Sequence, residues 1–517
     1  MTNTDLKYDV LIVGAGVVGC AIARELARYG KKVPDRPGGD AVRALRVGVL
    51  EKEPDVSFGT SSRNSAVLHS GINYAPGCLR GALNVRGNAM MDELCAQLKV
   101  PIKRIGKLTV ALTEPDLPGL HKQRAQGEAN GVPGMELMDN AKMRTIQPGI
   151  EGVLGLWTPT SAIISSFGLT IALAENALAN GVDFHLNCEV ESVERDEDGI
   201  GPGEGKMFRV RGSDGKTRTS HLLINAAGLH CDEVSAMAGI ANVKIWACRG
   251  EYYVLDKRLD GSLKTLIYPV PGPNDPGLGI HLTPTVDGNI LIGPSAAYIP
   301  GEDREDYRAT SDVMADLRRE GLRLLPGLAA SDFIRSFSGN RPKQTPPEKG
   351  GNADFVIEET SVPGFIHLLG IESPGLTSSP AIAEMVRDMV AKHIPLEKRD
   401  DFLAERAGFV GTFSELPLEQ RMDLIRTEPE YGEIICRCER ITKKEIRQAI
   451  ENPLGARTMA SIKYRARAQM GRCQGGFCMP RIARMLRDEY GCAPEDFFIR
   501  GGAPMFNGHV REGGDGR

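Results

Sequence analysis

The first thirty residues carry a strand, a glycine turn and a helix in immediate succession. Residues 8–13 form a short apolar run, Gly14, Gly16 and Gly19 follow it, and a helix-patterned stretch extends to Gly30. Gly14 permits a tight turn, Gly16 lets the backbone approach a pyrophosphate, and Gly19 allows close helix–strand packing. The start of the helix then offers unpaired N–H groups to phosphates. This order predicts a dinucleotide-binding α/β domain.

A second β-rich segment, residues 46–53, contains an acidic residue suited to the hydroxyls of a bound ribose. This residue, Glu51, lies 32 positions after Gly19, whereas the usual separation is ~20. The excess falls in residues 31–45, whose prolines and glycines predict an inserted loop.

Composition limits the classes of protein that this chain can represent. It has 517 residues, which predicts two to four domains. The formal net charge is −4, so no global basic field recruits nucleic acid or anionic lipid. No apolar run reaches the ~18 residues needed to span a bilayer, and the first residues lack a signal-peptide pattern. We therefore expect a cytoplasmic protein without integral membrane segments.

The eleven cysteines divide into seven scattered residues and one group of four. The scattered ones are predicted to be reduced and mostly buried. The group consists of Cys436, Cys438, Cys473 and Cys478, which indicate ligands of a metal or a cluster rather than disulfides. The segment 431–490 around them has 13 Lys and Arg against 6 Asp and Glu, a local charge of +7.

Several motifs together resemble the FAD-dependent oxidoreductases of the D-amino-acid-oxidase-like superfamily. They are the glycine turn, Glu51, the Ala-Ala-Gly sequence at 226–228 and the late run GIESPGLTSSPAIAE at 370–384. Within that superfamily, residues 64–88 resemble the bacterial glycerol-3-phosphate dehydrogenase and L-2-hydroxyglutarate dehydrogenase group. The resemblance covers about residues 8–392 and implies FAD as cofactor. It also implies a Rossmann-like FAD-binding domain interleaved with an antiparallel-sheet substrate domain.

The C-terminal section is similar to the bacterioferritin-associated-ferredoxin-like [2Fe-2S] domain. Its C-x4-C spacing resembles the version fused to anaerobic glycerol-3-phosphate dehydrogenase large subunits. The resemblance implies a small, mostly helical domain in which the four grouped cysteines hold a [2Fe-2S] cluster. From the residues alone, zinc is the alternative. Five arginines are expected to offset the charge of the cluster, with a solvated basic face or a docking patch as alternatives: Arg437, Arg440, Arg465, Arg467 and Arg472.

These motifs and resemblances set the predicted domain boundaries. The FAD-binding domain takes residues 1–95, 160–240 and 340–395, the substrate domain takes 96–159 and 241–339, 396–430 is a connector, 431–495 is the [2Fe-2S] domain, and 496–517 is a tail.

Two residues are the leading candidates for catalysis. His69 is predicted to accept the substrate hydroxyl proton, because imidazole has an unperturbed pKa of ~6.5 and the resemblance places a catalytic histidine in this segment. The alternative is a histidine that holds the flavin or its own loop. Arg341 is predicted to bind the anionic end of the substrate, since guanidinium matches phosphate or carboxylate bidentately. Its alternative is a loop-capping salt bridge.

Three further residues are candidates for substrate binding. His281 could bind substrate or be a sheet histidine satisfied by backbone, and Arg249 begins a strand whose Tyr253 or Tyr252 could close the pocket. Lys343 is expected to be exposed to solvent.

Small residues and backbone groups are expected to hold the flavin. Ser61, Ser62 and Asn64 could bond the pyrophosphate or the flavin. The helix that begins in the late glycine-containing run would present its positive end to a reduced, anionic flavin. The remaining predicted cofactor-binding residues are Gly228, Gly370, Gly375, Leu376 and Thr377.

The expected activity is FAD-dependent oxidation of a small anionic secondary alcohol, foremost sn-glycerol 3-phosphate to dihydroxyacetone phosphate. Electrons are expected to leave through the cluster to an acceptor protein, a second flavoprotein or a membrane-linked subunit. The alternatives are a dehydrogenase of L-2-hydroxyglutarate or another 2-hydroxy acid, an oxygen-using oxidase, and an iron-sensing or protein-binding role for the C-terminal domain. We expect an oligomer, no nucleic-acid partner, and a cytoplasmic enzyme that could also be peripheral to the membrane through its partner.

Overall fold

The structure is a computed structural model, and it describes residues 6–35, 39–196, 207–271, 279–301, 303–325, 327–407 and 412–505. The chain divides into two compact units. Unit one comprises Met1–Lys52 and Val56–Arg406, and unit two comprises Glu53–Asp55 and Ala407–Arg517. The second division point lies inside the segment predicted as a connector.

The strands of the described residues are, in chain order, β1 (Leu6–Val13), β2 (Tyr29–Asp35), β3 (Gly39–Ala44), β4 (Val47–Leu50), β5 (Val67–Leu68), β6 (Ile102–Lys103), β7 (Lys107–Ala111), β8 (Glu136–Met138), β9 (Leu154–Thr158), β10 (Ala162–Ile164), β11 (Asp183–His185), β12 (Val190–Asp196), β13 (Met207–Gly212), β14 (Thr217–Asn225), β15 (Trp246–Leu255), β16 (Leu266–Pro269), β17 (His281–Pro284), β18 (Ile290–Gly293), β19 (Ala297–Tyr298), β20 (Phe333–Lys343), β21 (Val356–Glu359), β22 (Phe365–Leu369), β23 (Glu397–Lys398), β24 (Ile434–Cys436) and β25 (Ile441–Thr442). The α-helices are α1 (Val17–Ala27), α2 (Leu79–Leu98), α3 (Leu117–Ala129), α4 (Asn140–Ile146), α5 (Ser166–Ala179), α6 (Cys231–Met237), α7 (Ser311–Leu324), α8 (Gly375–Val390), α9 (Leu418–Thr427), α10 (Lys443–Ile450), α11 (Met459–Ala466) and α12 (Met479–Tyr490).

A mostly parallel sheet forms one half of unit one. β1 lies between β4 and β14, parallel to both, and β22 is parallel to β14. The strand interiors are apolar on both faces, as expected for parallel strands covered by helices. Helix α1 packs against α5 and α8. The C-terminal ends of β1, β4 and β14 therefore meet at one edge, where the glycine turn lies.

The segment 31–45, predicted as an inserted loop, differs from that prediction. β2 and β3 pair antiparallel across most of it, and β23 adds a third strand. Residues 36–38 lie outside the described part of the chain. Asp9 of β1 fixes the base of this ribbon, with Oδ1 2.6 Å from Lys31 Nζ and Oδ2 2.9 Å from Arg43. Charged side chains in the ribbon thus have a specific partner in the parallel sheet.

A second, nine-stranded sheet forms the other half of unit one. Its main path runs β19-β15-β18-β17-β16-β7-β9-β8, and β20 also pairs with β15. Its neighbours are mostly antiparallel, and alternate residues face opposite sides. Leu108, Ile267 and Leu282 share one face and pack with Leu317 of α7 in an apolar cluster. The opposite face carries the polar residues described below.

Unit two is small and mostly helical. A two-stranded sheet, β24 and β25, accompanies helices α10 to α12 around an apolar cluster that includes Ile446, Ile462 and Ile482. Thr442 and Glu445 form a capping box that fixes the start of α10. The predicted fold class, an α/β flavin-binding fold interleaved with an antiparallel sheet and followed by a small helical domain, is confirmed. Among the described residues, no helix has both the length and the apolar character needed to cross a bilayer.

Candidate active site

The glycine turn after β1 packs too tightly for side chains. Gly14 has φ +102°, and its N–H donates to the Leu50 carbonyl at 2.8 Å. A Cβ on Gly14 would lie 2.6 Å from the Ala226 carbonyl oxygen, and one on Gly19 would clash with the Gly14 carbonyl oxygen. The turn is therefore closed against both α1 and the end of β14, as the three-glycine pattern predicts.

Two side chains reach the start of α1 from neighbouring elements. The Glu51 carboxylate, just after β4, accepts a hydrogen bond from the Ala15 N–H at 2.7 Å. The Ser61 hydroxyl accepts one from the Val17 N–H at 2.9 Å and lies beside Gly16. Both predicted residues thus stand at the helix end where a pyrophosphate and ribose would bind.

The loop after residue 59 is held by its own polar side chains. The Asn64 amide donates to the Ser61 carbonyl at 2.8 Å and accepts from the Ala66 N–H at 2.8 Å. The Ser62 hydroxyl donates weakly to the Gly59 carbonyl at 3.5 Å. In this structure Asn64 and Ser62 shape the loop, and a direct contact of either with a flavin stays a prediction.

The start of α8 lies beside the loop that carries His69. Gly375 is the first residue of the helix, and the Thr377 hydroxyl accepts a hydrogen bond from the His69 N–H at 3.0 Å. The Leu376 carbonyl accepts from the Ser379 hydroxyl. Gly370 adopts φ +66° in the turn before the helix. The helix N-terminus is therefore joined directly to the candidate base.

Gly228 begins a short 3-10 turn just after the end of β14. The preceding Ala226 carbonyl packs on Gly14. This places the predicted Ala-Ala-Gly motif against the glycine turn of β1.

His69 is buried, and its position is fixed by hydrogen bonds to its backbone. Its carbonyl accepts hydrogen bonds from the Asn84 and Asn88 amides at 3.0 and 2.9 Å. Its Nδ1 is buried and has no hydrogen-bond partner among the described residues. Burial, together with the nearby Lys107 and His281, lowers the pKa of His69 to about 3. The imidazole is thus neutral at physiological pH and able to accept a proton.

His281 is the second buried histidine of the site. Its Nδ1 lies 2.8 Å from the Gly279 carbonyl, so Nδ1 carries the hydrogen and Nε2 is the free acceptor. Nε2 is buried without a partner in the described part of the chain. The ring stacks on Tyr268, with 3.7 Å between ring centroids. Burial lowers the pKa of His281 to about 3.

Arg341 presents a guanidinium that lacks a carboxylate partner. It donates to the Ser295 carbonyl at 3.2 Å and to the Cys248 carbonyl at 3.5 Å, and it lies against the bare backbone of Gly250. None of the carboxylates in the described ranges is within ion-pair distance of it. The loop-capping salt bridge offered as an alternative from the sequence is absent among these residues, and the guanidinium retains its charge for a ligand.

The structure does not bring Arg249 and Tyr253 to this face. β15 alternates, so Cys248 and Tyr252 share the Arg341 side, whereas Arg249 and Tyr253 point to the other. Arg249 pairs with Glu251 at 3.1 Å and Asp306 at 2.8 Å, which neutralises it. Tyr253 packs edge-on against Phe333.

Tyr252 is the tyrosine that the structure places on the site side. Its hydroxyl accepts a hydrogen bond from Ser65 at 3.3 Å, and its ring stacks on Phe337. Of the two tyrosines considered from the sequence, Tyr252 therefore fits the pocket better.

The expectation that Lys343 is exposed is wrong. Its side chain is fully buried and lies 3.3 Å from Glu372, with a further hydrogen bond to the Asn352 amide oxygen at 2.5 Å. Glu372 also pairs with Arg80 at 3.3 Å, and Arg80 donates to the Ser373 carbonyl. This buried network fixes the turn that leads into α8.

Lys107, which was not singled out from the sequence, lies near the two buried histidines. It is 1% exposed, at the start of β7, and its Nζ lies 5.1 Å from the centre of the Tyr268 ring. Burial lowers the pKa of Lys107 to about 7. The alternation of Lys107 and Thr109 with Leu108 and Val110 was a usable signal, because it separates a polar face from an apolar one.

Buried polar atoms near the glycine turn and α8 suit a polar cofactor. The hydroxyls of Ser57, Ser70 and Ser378 are buried, and none has a hydrogen-bond partner among the residues described. Buried hydroxyls are normally paired, so a bound group with donors and acceptors would complete them. With the closed glycine turn, this donor and acceptor set fits FAD.

The four grouped cysteines of unit two form two pairs. Cys436 and Cys478 interact, as do Cys438 and Cys473, and a hydrogen bond from Cys478 lowers the pKa of Cys436. In the described ranges, no three His, Cys, Asp or Glu side chains gather as ligands of a single metal ion. Two thiol pairs fit a two-iron cluster with four cysteine ligands.

The arginines predicted to offset the charge of the cluster behave differently from one another. Arg465 pairs with Asp55 and Arg467 pairs with Glu439, both within unit two. These two are therefore already neutralised, contrary to the expectation for all five. Arg437 and Arg440 are exposed, and Arg437 packs on the Phe477 ring.

The fold and the site together define a class of protein, the flavin-dependent oxidoreductases, here with a second unit that carries cluster ligands. The family model described as "FAD dependent oxidoreductase" (DAO) matches residues 9–389. A second model, "BFD-like [2Fe-2S] binding domain", matches residues 434–488. The chain belongs to the DAO family of FAD-dependent oxidoreductases. The predictions of an oxidoreductase with FAD and a [2Fe-2S] cluster are confirmed.

Individual relatives narrow the type of oxidoreductase. The glycerol 3-phosphate dehydrogenase of Caloramator mitchellensis is 39% identical over 490 residues, covering 94% of this chain and 95% of the relative. The mitochondrial L-2-hydroxyglutarate dehydrogenase of Caenorhabditis elegans is 32% identical and covers 74% of this chain and 92% of the relative. The solved structure of L-alpha-glycerophosphate oxidase from Mycoplasma pneumoniae, with FAD bound, superimposes with TM-score 0.68 at 28% identity and covers 77% of this chain and 98% of that one. The chain is an oxidoreductase of the glycerol-3-phosphate dehydrogenase and oxidase type.

Proposed function

We propose that the protein oxidises sn-glycerol 3-phosphate to dihydroxyacetone phosphate and passes the electrons through its [2Fe-2S] cluster to an acceptor protein. The observation that carries this proposal is the length of the similarity to the Caloramator glycerol 3-phosphate dehydrogenase, which extends over both units. The similarity to the Caenorhabditis elegans L-2-hydroxyglutarate dehydrogenase covers a smaller share of the chain.

The residues of the site support oxidation of an anionic alcohol. When bound, FAD supplies the acceptor for the hydride that leaves the substrate carbon. His69 is neutral, and one of its ring nitrogens is buried without a partner among the described residues. We therefore assign to His69 the role of accepting the proton of the substrate hydroxyl. Arg341, without a described carboxylate partner, holds the anionic end of the substrate. The start of α8, joined to His69 through Thr377, directs its positive end towards the cofactor.

The cluster gives the electrons a way out to a one-electron acceptor. Two of the four ligands, Cys438 and Cys473, are exposed, whereas Cys436 and Cys478 are buried. The exposed Arg437 is adjacent to Cys438 in the sequence. We therefore propose an acceptor protein with an acidic docking face, either a second flavoprotein or a membrane-linked subunit.

Anaerobic titration of the purified holoenzyme tests the substrate. We expect glycerol 3-phosphate to bleach the flavin absorbance first and then the cluster absorbance, while L-2-hydroxyglutarate leaves both unchanged. If L-2-hydroxyglutarate bleaches both and glycerol 3-phosphate does not, the substrate assignment is wrong. Hydrogen peroxide yield in air, with and without an artificial acceptor, distinguishes a dehydrogenase from an oxidase.

The proposed route of the electrons through the cluster is tested with the variant Cys473→Ser, which removes an exposed ligand. The control is Cys492→Ser, which changes another cysteine of the same unit. The Cys473 variant should retain flavin reduction and turnover with an artificial two-electron acceptor but lose reduction of the acceptor protein. The control should keep both. Retention of protein reduction by the Cys473 variant would instead favour a binding or iron-sensing role for unit two.

A further inference from the structure

One face of the nine-stranded sheet gathers basic and polar side chains. β7 and β16 pair so that Lys107 and Tyr268 share this face. β16 and β17 pair with Ile267 opposite Leu282, which places His281 beside Tyr268. The intervening residues point to the apolar cluster on the other face. Lys107 is thus buried on the side of the site and not in the apolar core.

Lys107 occupies a buried position without a counter-charge among the described residues. Its Nζ lies over the Tyr268 ring, and no carboxylate of the described ranges is within ion-pair distance. Burying an ammonium group without a paired anion is unfavourable, because the group loses its hydration. The Tyr268 ring offsets only part of this loss. An anionic ligand would complete the environment of this lysine.

Arg341 lies on the same face of the sheet and approaches His281 from the β15–β20 end. The positive charges of Lys107 and Arg341 both lower the pKa of His281, and that of Lys107 lowers the pKa of His69. In strand order, His281 on β17 therefore lies between Lys107 on β7 and Arg341 on β20. Four atoms in this region are buried without partners among the described residues: His69 Nδ1, His281 Nε2, Tyr268 Oη and Thr283 Oγ1.

We propose that Lys107 is a substrate-binding residue, which holds the anionic group of the substrate together with Arg341. That the anion is a phosphate ester rests on the proposed function, whereas the binding of an anion by Lys107 does not. Two cations complement the two negative charges of a phosphate monoester dianion. The anionic ligand then supplies the negative charge that neutralises the buried ammonium group of Lys107.

Sulfate binding to the oxidised holoenzyme tests the proposal, because sulfate carries two negative charges and does not titrate near pH 7. We compare Lys107→Met with Lys103→Met by calorimetry. Lys103 is the matched control, since it is exposed on the nearby β6 and donates to the Val286 carbonyl at 2.7 Å. The Lys107 variant should weaken sulfate binding at least tenfold, the Lys103 variant should stay within twofold of wild type, and Lys107→Arg should recover part of the loss. Equal sulfate affinity in the two methionine variants would overturn the proposal.

If the Lys107 variants fail to fold, a measurement on the wild-type protein tests the proposal instead. Burial lowers the pKa of Lys107 to about 7, so sulfate binding at pH 7 should be accompanied by uptake of a fraction of a proton, measured in two buffers of different ionisation enthalpy. The other titratable groups near this face are His69, His281, Tyr268 and Arg341. The two histidines have pKa values of about 3, burial raises the pKa of Tyr268 above its ordinary value, and the pKa of Arg341 is also raised, so none of these titrates at pH 7. Absence of proton uptake would contradict the proposal.

The two proposals fail in different ways. If Lys107 controls sulfate binding while glycerol 3-phosphate fails to reduce the flavin, the proposed function is wrong and the anion site stands. If glycerol 3-phosphate is oxidised with an unchanged KM in the Lys107→Met variant, the function stands and the inference on Lys107 is wrong.

Discussion

Replacing Glu372 with glutamine should destabilise unit one strongly, because this carboxylate neutralises two buried cations. Its oxygens lie 3.3 Å from both Arg80 and Lys343, and the three side chains are 5%, 6% and 1% exposed, respectively. Glutamine keeps the shape but removes the charge, which leaves two buried cations uncompensated. Breaking a buried ion pair by removing one partner costs about 3–5 kcal/mol.

This loss corresponds to a measurable change in melting temperature. Unit one has about 400 residues, so its unfolding entropy is roughly 0.8 kcal/mol/K, and 3–5 kcal/mol lowers the Tm by about 4–6 °C. The assay is differential scanning calorimetry of the holoenzyme, with Glu358→Gln as control. Glu358 also forms a 3.3 Å pair, with His367, but is 62% exposed, so its loss should cost no more than about 1 kcal/mol. The reasoning is refuted if the two variants melt within 1 °C of each other.

Three further predictions follow from the same structure. Gly19→Ala should abolish FAD retention during purification, whereas Gly59→Ala should retain the flavin, because a Cβ at Gly59 meets nothing within 4 Å; equal flavin content in the two would contradict the close packing described for the turn. The folded-state pKa values of His69 and His281, about 3, lie below their ordinary 6.5. The unfolded chain therefore binds more protons, and the free energy of unfolding should fall by up to about 1.4 kcal/mol per pH unit per histidine as the pH decreases below 6.5. Urea denaturation of His281→Phe should show a shallower slope, and an unchanged slope would count against burial of a neutral ring. Cys436→Ser should eliminate the visible absorbance of the cluster and lower the melting temperature of unit two while leaving the flavin spectrum intact, and a cluster spectrum of wild-type intensity would exclude Cys436 as a ligand.

Most of the correct predictions were based on local sequence motifs. Gly14 and Gly19 act through neighbours close in sequence, and the spacing of the cysteines in unit two is likewise local. Glu51 was identified from its place at the end of a strand, although the segment before it was interpreted as a loop. The structure shows strands there because Asp9, a residue of β1, pairs with Lys31 and Arg43. An ion pair of that kind leaves no local signal.

Errors at the site arose where a partner lies far along the chain. Arg249 looked available to a ligand, but its partner Asp306 is 57 residues away. Lys343 looked exposed, but Glu372 meets it from the turn before α8. Lys107 was not singled out from the sequence, because its neighbour Tyr268 joins it through a parallel pairing of β7 and β16. In each case the charge of the residue was evident, and only the tertiary pairing decides whether that charge is neutralised.

The pairing of charges explains how the site can hold several basic groups together. Arg249 and Lys343 are neutralised by carboxylates, so they contribute to stability and add little to the positive electrostatic potential of the site. His69 and His281 are buried deeply enough to remain neutral, so they do not repel the remaining cations. Lys107 and Arg341 have no carboxylate partner among the described residues and are the two cations that we propose present charge to a ligand, and both lie on the same sheet face. Selectivity for an anion therefore follows from which basic groups lack a carboxylate partner, rather than from how many basic groups surround the site.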